Sequence, residues 1–273
     1  MSAESQAIPE AVRRQAEDLA SVAPEPPAEL GVVRVITDRY ILVATPMPSV
    51  NFVERIRVEP DQLVETVTEV RETLRGLGRR QAAWTAGPSS RPTDLEERLH
   101  ELGMTPYEDS PLEPTCTCMA LVEPPDLPDD PRIVVEAVET LEQLRLATEL
   151  ETGAIGLSDE DAAAVVEGLE TRFRLQQEGR SAQRVSIAYL DGVAVGIGRS
   201  LLLDAGINLS GAIVLPEARS RGVYRALVAS RWQDAVERGT PALTVQAGTM
   251  SRPILERLGF VTVAVQSLLC DRF

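Results

Sequence analysis

Nine residues near the middle of the chain, Glu123-Pro124-Pro125-Asp126-Leu127-Pro128-Asp129-Asp130-Pro131, do most to limit what it can fold into. Four prolines each remove a backbone donor and lock φ, which forbids a helix or a central strand here. Four acidic residues keep the run in water. The 273 residues therefore read as two pieces joined at 124–131: a shorter one over 29–123 and a longer one over 132–273. A helix near Pro9–Ser21 and a softer spacer, Ala23–Ala28, occupy residues 1–28. With 44% hydrophobic and 25% charged residues, the chain can bury a sizeable core, and wholesale disorder is excluded.

The formal net charge is −15, from 42 acidic residues against 27 basic ones, all of the latter arginine. A chain so acidic repels phosphate backbones and anionic membranes unless its arginines are segregated. They are segregated. Residues 1–130 carry 24 acids against 12 arginines, and 131–179 carry 11 against 4, whereas 180–273 carry 7 against 11. Positive charge is wanted in the last third. The charge as a whole, with only 4% aromatic residues for stacking, argues against a nucleic-acid partner.

The longer piece reads as strand Ile133–Val138, helices Glu139–Glu151 and Ser158–Gly179, and a hairpin of Val185–Leu190 and Val193–Leu203 about Asp191-Gly192. Strand Ile207–Val214, a helix from about Ser220 to Arg238, strand Ala242–Ala247, helix Pro253–Leu258 and strand Phe260–Leu269 follow. That order implies an α/β fold with a mixed, mostly antiparallel sheet flanked by helices. The shorter piece repeats it in reduced form: a hairpin about Thr37-Asp38, strand Asn51–Val58, helix Pro60–Gly76, strand Gln81–Ala86, helix Arg91–Leu102 and strand Thr117–Val122. From the strand end at 58 to Gly103, and from the strand end at 214 to Gly259, the spacing is the same 45 residues. An internal duplication accounts for order and spacing together.

The stretch that carries chemistry is Gly211 to Val228, where an apolar strand passes through a short Pro216 turn directly into a helix. From its loop into the helix, between residues 219 and 231, come Arg219, Arg221, Arg225 and Arg231 without an intervening acid. Gly222 lets backbone N–H groups approach a ligand closely, and the helix N-terminus adds unpaired donors and the positive end of its dipole. Physically this is an anion site, suited to a pyrophosphate.

Val214-x-Pro216 followed by Arg219-x-x-Gly222-x-Tyr224 resembles the [QR]-x-x-G-x-[GA] loop of the GNAT superfamily of N-acetyltransferases. Pro253 to Phe260, a helix closing in Leu-Gly-Phe, resembles that superfamily's next motif. The resemblance covers residues 132–269 and implies the GNAT-like acyl-CoA N-acyltransferase fold. The shorter piece resembles a degenerate copy, in which Glu59-Pro60-Asp61 replaces the arginine and glycine loop and no cofactor is expected. By resemblance the co-substrate is acetyl-CoA. Its pantetheine arm would pair with backbone groups around Val214, and its pyrophosphate would be wrapped by Arg219, Ser220, Arg221, Gly222, Val223, Tyr224 and Arg225. The implied reaction is direct attack of a primary amine of a small molecule or peptide on the thioester, with the oxyanion held by a strand N–H.

Two positions depart from the family pattern. Tyr224 stands where glycine or alanine is usual. Leu255 stands where a tyrosine often protonates the leaving thiolate, leaving Ser251 as the nearest hydroxyl, either as a proton source or simply as the cap of the following helix. No general base is visible, and Glu217 is expected beside the loop in solvent. A CoA-binding pseudoenzyme or regulatory module is therefore the alternative reading. Glu149, Glu151, Asp159, Glu160 and Asp161 suggest an acidic roof attractive to a cationic acceptor, with helix capping as the plainer account of the last three.

Other chemistry finds less support. Gly196-Ile197-Gly198 is a G-x-G, but it lies inside a hairpin strand with no third glycine, which is poor grounds for a nucleotide-binding oxidoreductase. Cys116, Cys118 and Cys270 form no paired framework, and no metal site is expected. His100, the single histidine, falls on a solvated helix surface. Residues 1–10 lack an apolar core for a signal peptide, and Val193–Leu203 is interrupted by Arg199 and too short to span a bilayer. A cytoplasmic location without membrane association is expected; oligomeric state is not legible.

Overall fold

The computed structural model describes residues 7–108, 112–126 and 130–273. The acidic N-terminal six residues and Leu127–Asp129 of the proline-rich run lie outside the described residues. Contacts divide the chain into two compact units. The first comprises Glu25–Cys116, Ile155–Thr171 and Ala264–Phe273; the second comprises Met1–Pro24, Thr117–Ala154 and Arg172–Val263. Each is mixed α/β with a mostly antiparallel sheet and helices against it.

In the first unit, β1 (Val33–Ile36), β2 (Ile41–Ala44), β3 (Asn51–Glu54), β4 (Gln81–Ala86) and the end of β12 (Val261–Arg272) lie side by side. All neighbours run antiparallel except β3 and β4, which pair in parallel at Phe52 with Ala83 and Val53 with Trp84. Helix α3 (Leu63–Gly76) buries Leu63, Val67, Val70 and Leu74, spaced at three and four residues, against Leu42, Val53, Trp84 and Leu269. Helix α4 (Leu95–Glu101) adds Leu95 and Leu99 to that core. His100 is exposed on α4, with Nδ1 2.9 Å from the Met104 carbonyl, as a solvated helix face implies.

In the second unit the strand order is β6 (Thr115–Leu121), β11 (Leu243–Ala247), β10 (Gly206–Val214), β9 (Val193–Leu203), β8 (Gln183–Leu190) and β7 (Ile133–Ala137). Again one adjacent pair is parallel, β10 with β11. Helix α8 (Val223–Glu237) covers one face through Val223, Leu227, Val228, Trp232 and Ala235, together with Leu255 and Leu258 from around α9 (Arg252–Arg257). Helix α1 (Glu10–Glu17) reaches β10 and β11 from the other face. Gln15 Nε2 donates to Thr244 Oγ1 at 2.9 Å, and Gln246 Nε2 donates to the Ala16 carbonyl at 2.8 Å.

A contiguous division at 124–131 is therefore not how the contacts partition. Strand β6 pairs with β11 of the longer piece over Thr117–Leu121, and β12 pairs with β4 of the shorter piece over Ser267–Arg272. Helix α1 packs inside the second unit. The helical stretch expected over 158–179 is two helices, α6 (Asp159–Glu167) and α7 (Leu169–Gln177), breaking at Gly168. Most of it, Ile155–Thr171, goes with the first unit. Hydrophobic alternation says which residues of a strand face a core, but it is silent on which core.

Candidate functional site

The site is built where β10 leaves β11. The two strands pair only at Ile207 with Leu243 and Asn208 with Thr244, although β10 runs on to Val214. Its register with β9 slips between Leu209 and Gly211, so Ser210 is a bulged residue, exposed and without a counterpart. A bulge bends its strand and increases local twist, which turns β10 away from its parallel neighbour.

Past Val214 the chain makes a 3-10 turn at Pro216–Ala218 and enters α8 at Gly222. Ser220 and Gly222 both lie in the left-handed region, at φ 60° and 91°, on either side of Arg221. Alternating hands of this kind turn successive N–H groups toward one point. The first-turn N–H groups of α8 have no carbonyl four residues back within the helix, and Gly222 at the N-cap has no side chain to bond them. Donors and helix dipole therefore face solvent together.

The first unit shows the opposite solution at the matching junction. After β3, Glu59 accepts from the backbone N–H of Gln62, and the Gln62 side chain accepts from the Glu59 N–H, in a capping box opened by Pro60. A protein carboxylate already sits on that helix start.

The arginines do not act as one set. Arg219 and Arg225 are exposed at the loop, and Arg219 Nε donates to the Val214 carbonyl at 3.2 Å. That bond occupies a backbone group which the resemblance gave to the pantetheine arm. Arg221 reaches Asp191 at 3.5 Å in a surface pair worth little in water. Arg231 is elsewhere. It is 1% exposed beneath the sheet, and burial pushes its guanidinium down to about 10. Its Nε donates to the Leu227 carbonyl at 2.8 Å, and Nη1 lies 3.3 Å from the carbonyls of both Arg199 and Gly211, the residues that pair just beyond the bulge. Arg231 thus holds the two strands together where the register slips.

This explains the glycine pair of β9. A Cβ on Gly198 would lie 3.2 Å from Arg231 and from Leu227, and one on Gly196 would lie 2.8 Å from the Ile213 carbonyl. Gly198 serves close packing of α8 on the sheet and Gly196 the close approach of β10, which removes the basis for an oxidoreductase motif. Among the described residues no group of three or more His, Cys, Asp or Glu could hold a metal ion, and none of the three cysteines forms a disulfide.

Tyr224 turns inward. Its ring packs with the α8–α9 cluster beside Ile254, and burial raises its phenol above the ordinary value despite the hydrogen bond with Ser251 and the charge of Arg231. Ser251 heads α9 without capping it; its hydroxyl donates to the Gly248 carbonyl at 3.4 Å. The plain capping account of Ser251 does not hold, and its hydroxyl is hydrogen-bonded with that of Tyr224. Leu255, 0% exposed, fills the same cluster. Glu217 is exposed beside the loop, as expected.

The acidic roof does not form as expected. Glu151 of α5 (Leu141–Ile155) accepts from Arg199 at Oε1 (2.8 Å) and Oε2 (3.0 Å) of its carboxylate through Nε, and again through Nη2. Asp161 is buried in the first unit. It accepts from the Ser49 N–H at 3.2 Å, the Ser158 hydroxyl at 2.8 Å and the Ser49 hydroxyl, while Ser158 caps α6. Glu149, Asp159 and Glu160 are exposed. The signal that marks Arg199 in sequence is a single charge inside an apolar strand; nothing marks its partner.

A bulged strand that splays from a parallel neighbour and feeds a glycine-started helix, within a mixed sheet, defines the GNAT type of acyltransferase fold. Residues 155–268 match the family model described as an acetyltransferase (GNAT) domain. No curated protein matches the sequence. Among solved structures, a GCN5-related N-acetyltransferase from Kribbella flavida is similar over 95% of both chains, with 17% identity and a TM-score of 0.67. A GCN5-related N-acetyltransferase from Sphaerobacter thermophilus is similar over 87% of this chain and 82% of its own, with 15% identity and a TM-score of 0.61. A tandem GNAT protein from the clavulanic acid biosynthesis pathway covers 97% of this chain and 88% of its own, with 15% identity and a TM-score of 0.59. Residues 155–268 are thus similar to a GNAT acetyltransferase domain, and nearly the whole chain shares the fold of the solved GNAT proteins.

Proposed function

We propose that the second unit binds acetyl-CoA and transfers its acetyl group to a primary amine of a small molecule or peptide. The observation that carries this is the β10–α8 junction: left-handed Ser220 and Gly222, an uncapped fifteen-residue helix, and exposed Arg219 and Arg225 around it. Those groups suit a pyrophosphate. Ser220 to Arg225 would hold it through N–H groups, with the exposed guanidiniums adding charge. The splay between β10 and β11 suits an extended arm, entering by the free edge of β10 near Val214. The thioester supplies the activated acetyl group. The attacking nitrogen must lose a proton and the sulfur must gain one. The mutually hydrogen-bonded hydroxyls of Tyr224 and Ser251, between α8 and α9, are the groups we assign to the proton donor's side, and burial raises the Tyr224 phenol, which favours its protonated form. In the first unit, Glu59 already satisfies the equivalent helix start, which supports a structural rather than cofactor-binding role for that half.

A second reading, a CoA-binding module without transferase activity, is favoured by one observation: Leu255 is buried where the family's proton donor would stand. Calorimetric titration with acetyl-CoA tests the shared premise. Binding lost in Gly222→Asp or Arg219→Glu supports it, and no binding of any CoA thioester by the native protein refutes both readings. Thiol release across a panel of amines then separates enzyme from module. Among the described residues no helix is long and apolar enough to cross a membrane, which is compatible with a cytoplasmic acetyltransferase.

A further inference from the structure

The gap between β10 and β11 is closed at its root by side chains that the proposed transfer does not use. Ile207, Leu209, Leu243 and Val245 pack toward α8, so alternation sends Asn208, Thr244 and Gln246 to the opposite face, under α1. Asn208 and Thr244 are the last paired residues before the strands part. The Asn208 amide reaches across that root. Its Nδ2 donates to Thr244 Oγ1 at 3.1 Å and, two residues further along β11, to Gln246 Oε1 at 3.3 Å. From α1, Gln15 Nε2 donates to the same Thr244 hydroxyl, and the Ala16 carbonyl accepts from Gln246 Nε2.

Asn208, Thr244 and Gln15 are fully buried. Asn208 Oδ1 and Gln15 Oε1 are enclosed with no donor among the described residues. An apolar chain pressed against such oxygens leaves them unpaired and shuts out water, which is unfavourable. On the α8 side, Leu209, Leu243 and Val245 belong to a packed core, where an added methylene forces its neighbours apart. From Val214 back to Asn208 is six residues of strand, about 20 Å, close to the reach of an extended pantetheine arm. An acyl group carried on that arm arrives at this wall.

We propose that Asn208, held by Thr244, Gln246 and Gln15, limits the transferred acyl group to acetyl and excludes chains of four or more carbons. The inference rests on the acetyl-transfer reading and deepens it: the loop at α8 would hold the phosphates whatever the sulfur carries, and Asn208 selects among thioesters. The acyl carbonyl stops near the bulge at Ser210, its methyl group meets the Asn208 amide, and each further carbon has to displace a hydrogen-bonded side chain. Asn208 determines specificity here and moves no proton.

The test titrates the full chain calorimetrically with CoA, acetyl-CoA and butyryl-CoA. Butyryl-CoA is expected to bind the native protein at least about tenfold more weakly than acetyl-CoA, since one methylene in a closed pocket is already worth that much. Asn208→Ala opens the root and should bring the two within about threefold. Asn208→Ser, which keeps a hydroxyl for Thr244, should do the same and stands in if the alanine variant fails to fold. Asn208→Leu keeps the volume and should keep the preference. Free CoA carries no acyl group and should bind native and variant proteins alike. A native preference smaller than about threefold, a preference retained in both shortened variants, or one lost in Asn208→Leu overturns this inference alone, provided CoA still binds. A native protein that binds neither CoA nor its thioesters overturns the acetyl-transfer reading as well.

Discussion

Replacing Gly222 by alanine separates what the loop costs to fold from what it does. At φ 91° an L-residue pays about 1–2 kcal/mol for the left-handed conformation. The new Cβ would stand 3.3 Å from Ile133 Cδ1, a methyl able to shift by a few tenths of an ångström, so crowding adds little. By size scaling, that destabilisation lowers Tm by about 2–8 °C. Gly239, just past the other end of α8, is the matched control, with φ 74° and nothing within 4 Å of an added Cβ. Both alanine variants should therefore lose similar stability in a thermal melt. Only Gly222→Ala adds a methyl group at the helix start proposed to close its N–H groups on a pyrophosphate. Titration with acetyl-CoA should then show affinity reduced at least about tenfold in Gly222→Ala and unchanged in Gly239→Ala. Native affinity in Gly222→Ala, with its Tm lowered as in the control, would refute the placement of the phosphates at this helix start.

Asp161→Ala should cost about 3 kcal/mol in urea unfolding, since it strands the Ser49 N–H and two hydroxyls that now share a buried carboxylate; a loss below about 1 kcal/mol would count against the geometry. Tyr40 donates to Glu69 at 2.7 Å, and burial leads the causes that push its phenol up to about 12. The folded state therefore holds that proton more tightly than the unfolded chain does. The stability this confers is intact below about pH 10 and is lost as pH rises through about 12. Tyr40→Phe should remove that alkaline component, as unfolding curves across this window will show. Arg231→Met exchanges a buried cation for an apolar chain, so global stability should change by less than about 2 kcal/mol. Amide exchange at Ser210 and Gly211 should nonetheless accelerate about tenfold or more, because the clamp on the Arg199 and Gly211 carbonyls is gone. Native exchange rates there would refute the clamp.

Much of this protein was legible in its residues because the governing interactions are local. The order of strands and helices follows from hydrophobic periodicity. The Ser158 cap follows from a hydroxyl three residues before an acidic N–H, and the turn at Asp191-Gly192 follows from backbone preference. The β10–α8 junction is local too: a proline turn, two left-handed residues and a bare helix start all lie within ten residues. That is why the geometry of this junction and the resemblance to GNAT proteins could be read before any fold was known.

Long-range choices were not legible, and each has a physical cause. The four arginines of 219–231 look alike in a charge count, yet only the tertiary structure sends Arg231 under the sheet to three carbonyls and leaves Arg219 in solvent. Tyr224 reads in sequence only as a departure from a motif; the packing of α8 on α9 turns it inward to Ser251. Glu151 and Asp161 read as members of one acidic roof, yet one is spent on Arg199 and the other on Ser49. The partition of β6 and β12 follows the same rule. A strand's alternation determines which side it buries, but any complementary edge can accept its backbone hydrogen bonds, so which unit it completes was decided only when the whole chain was folded.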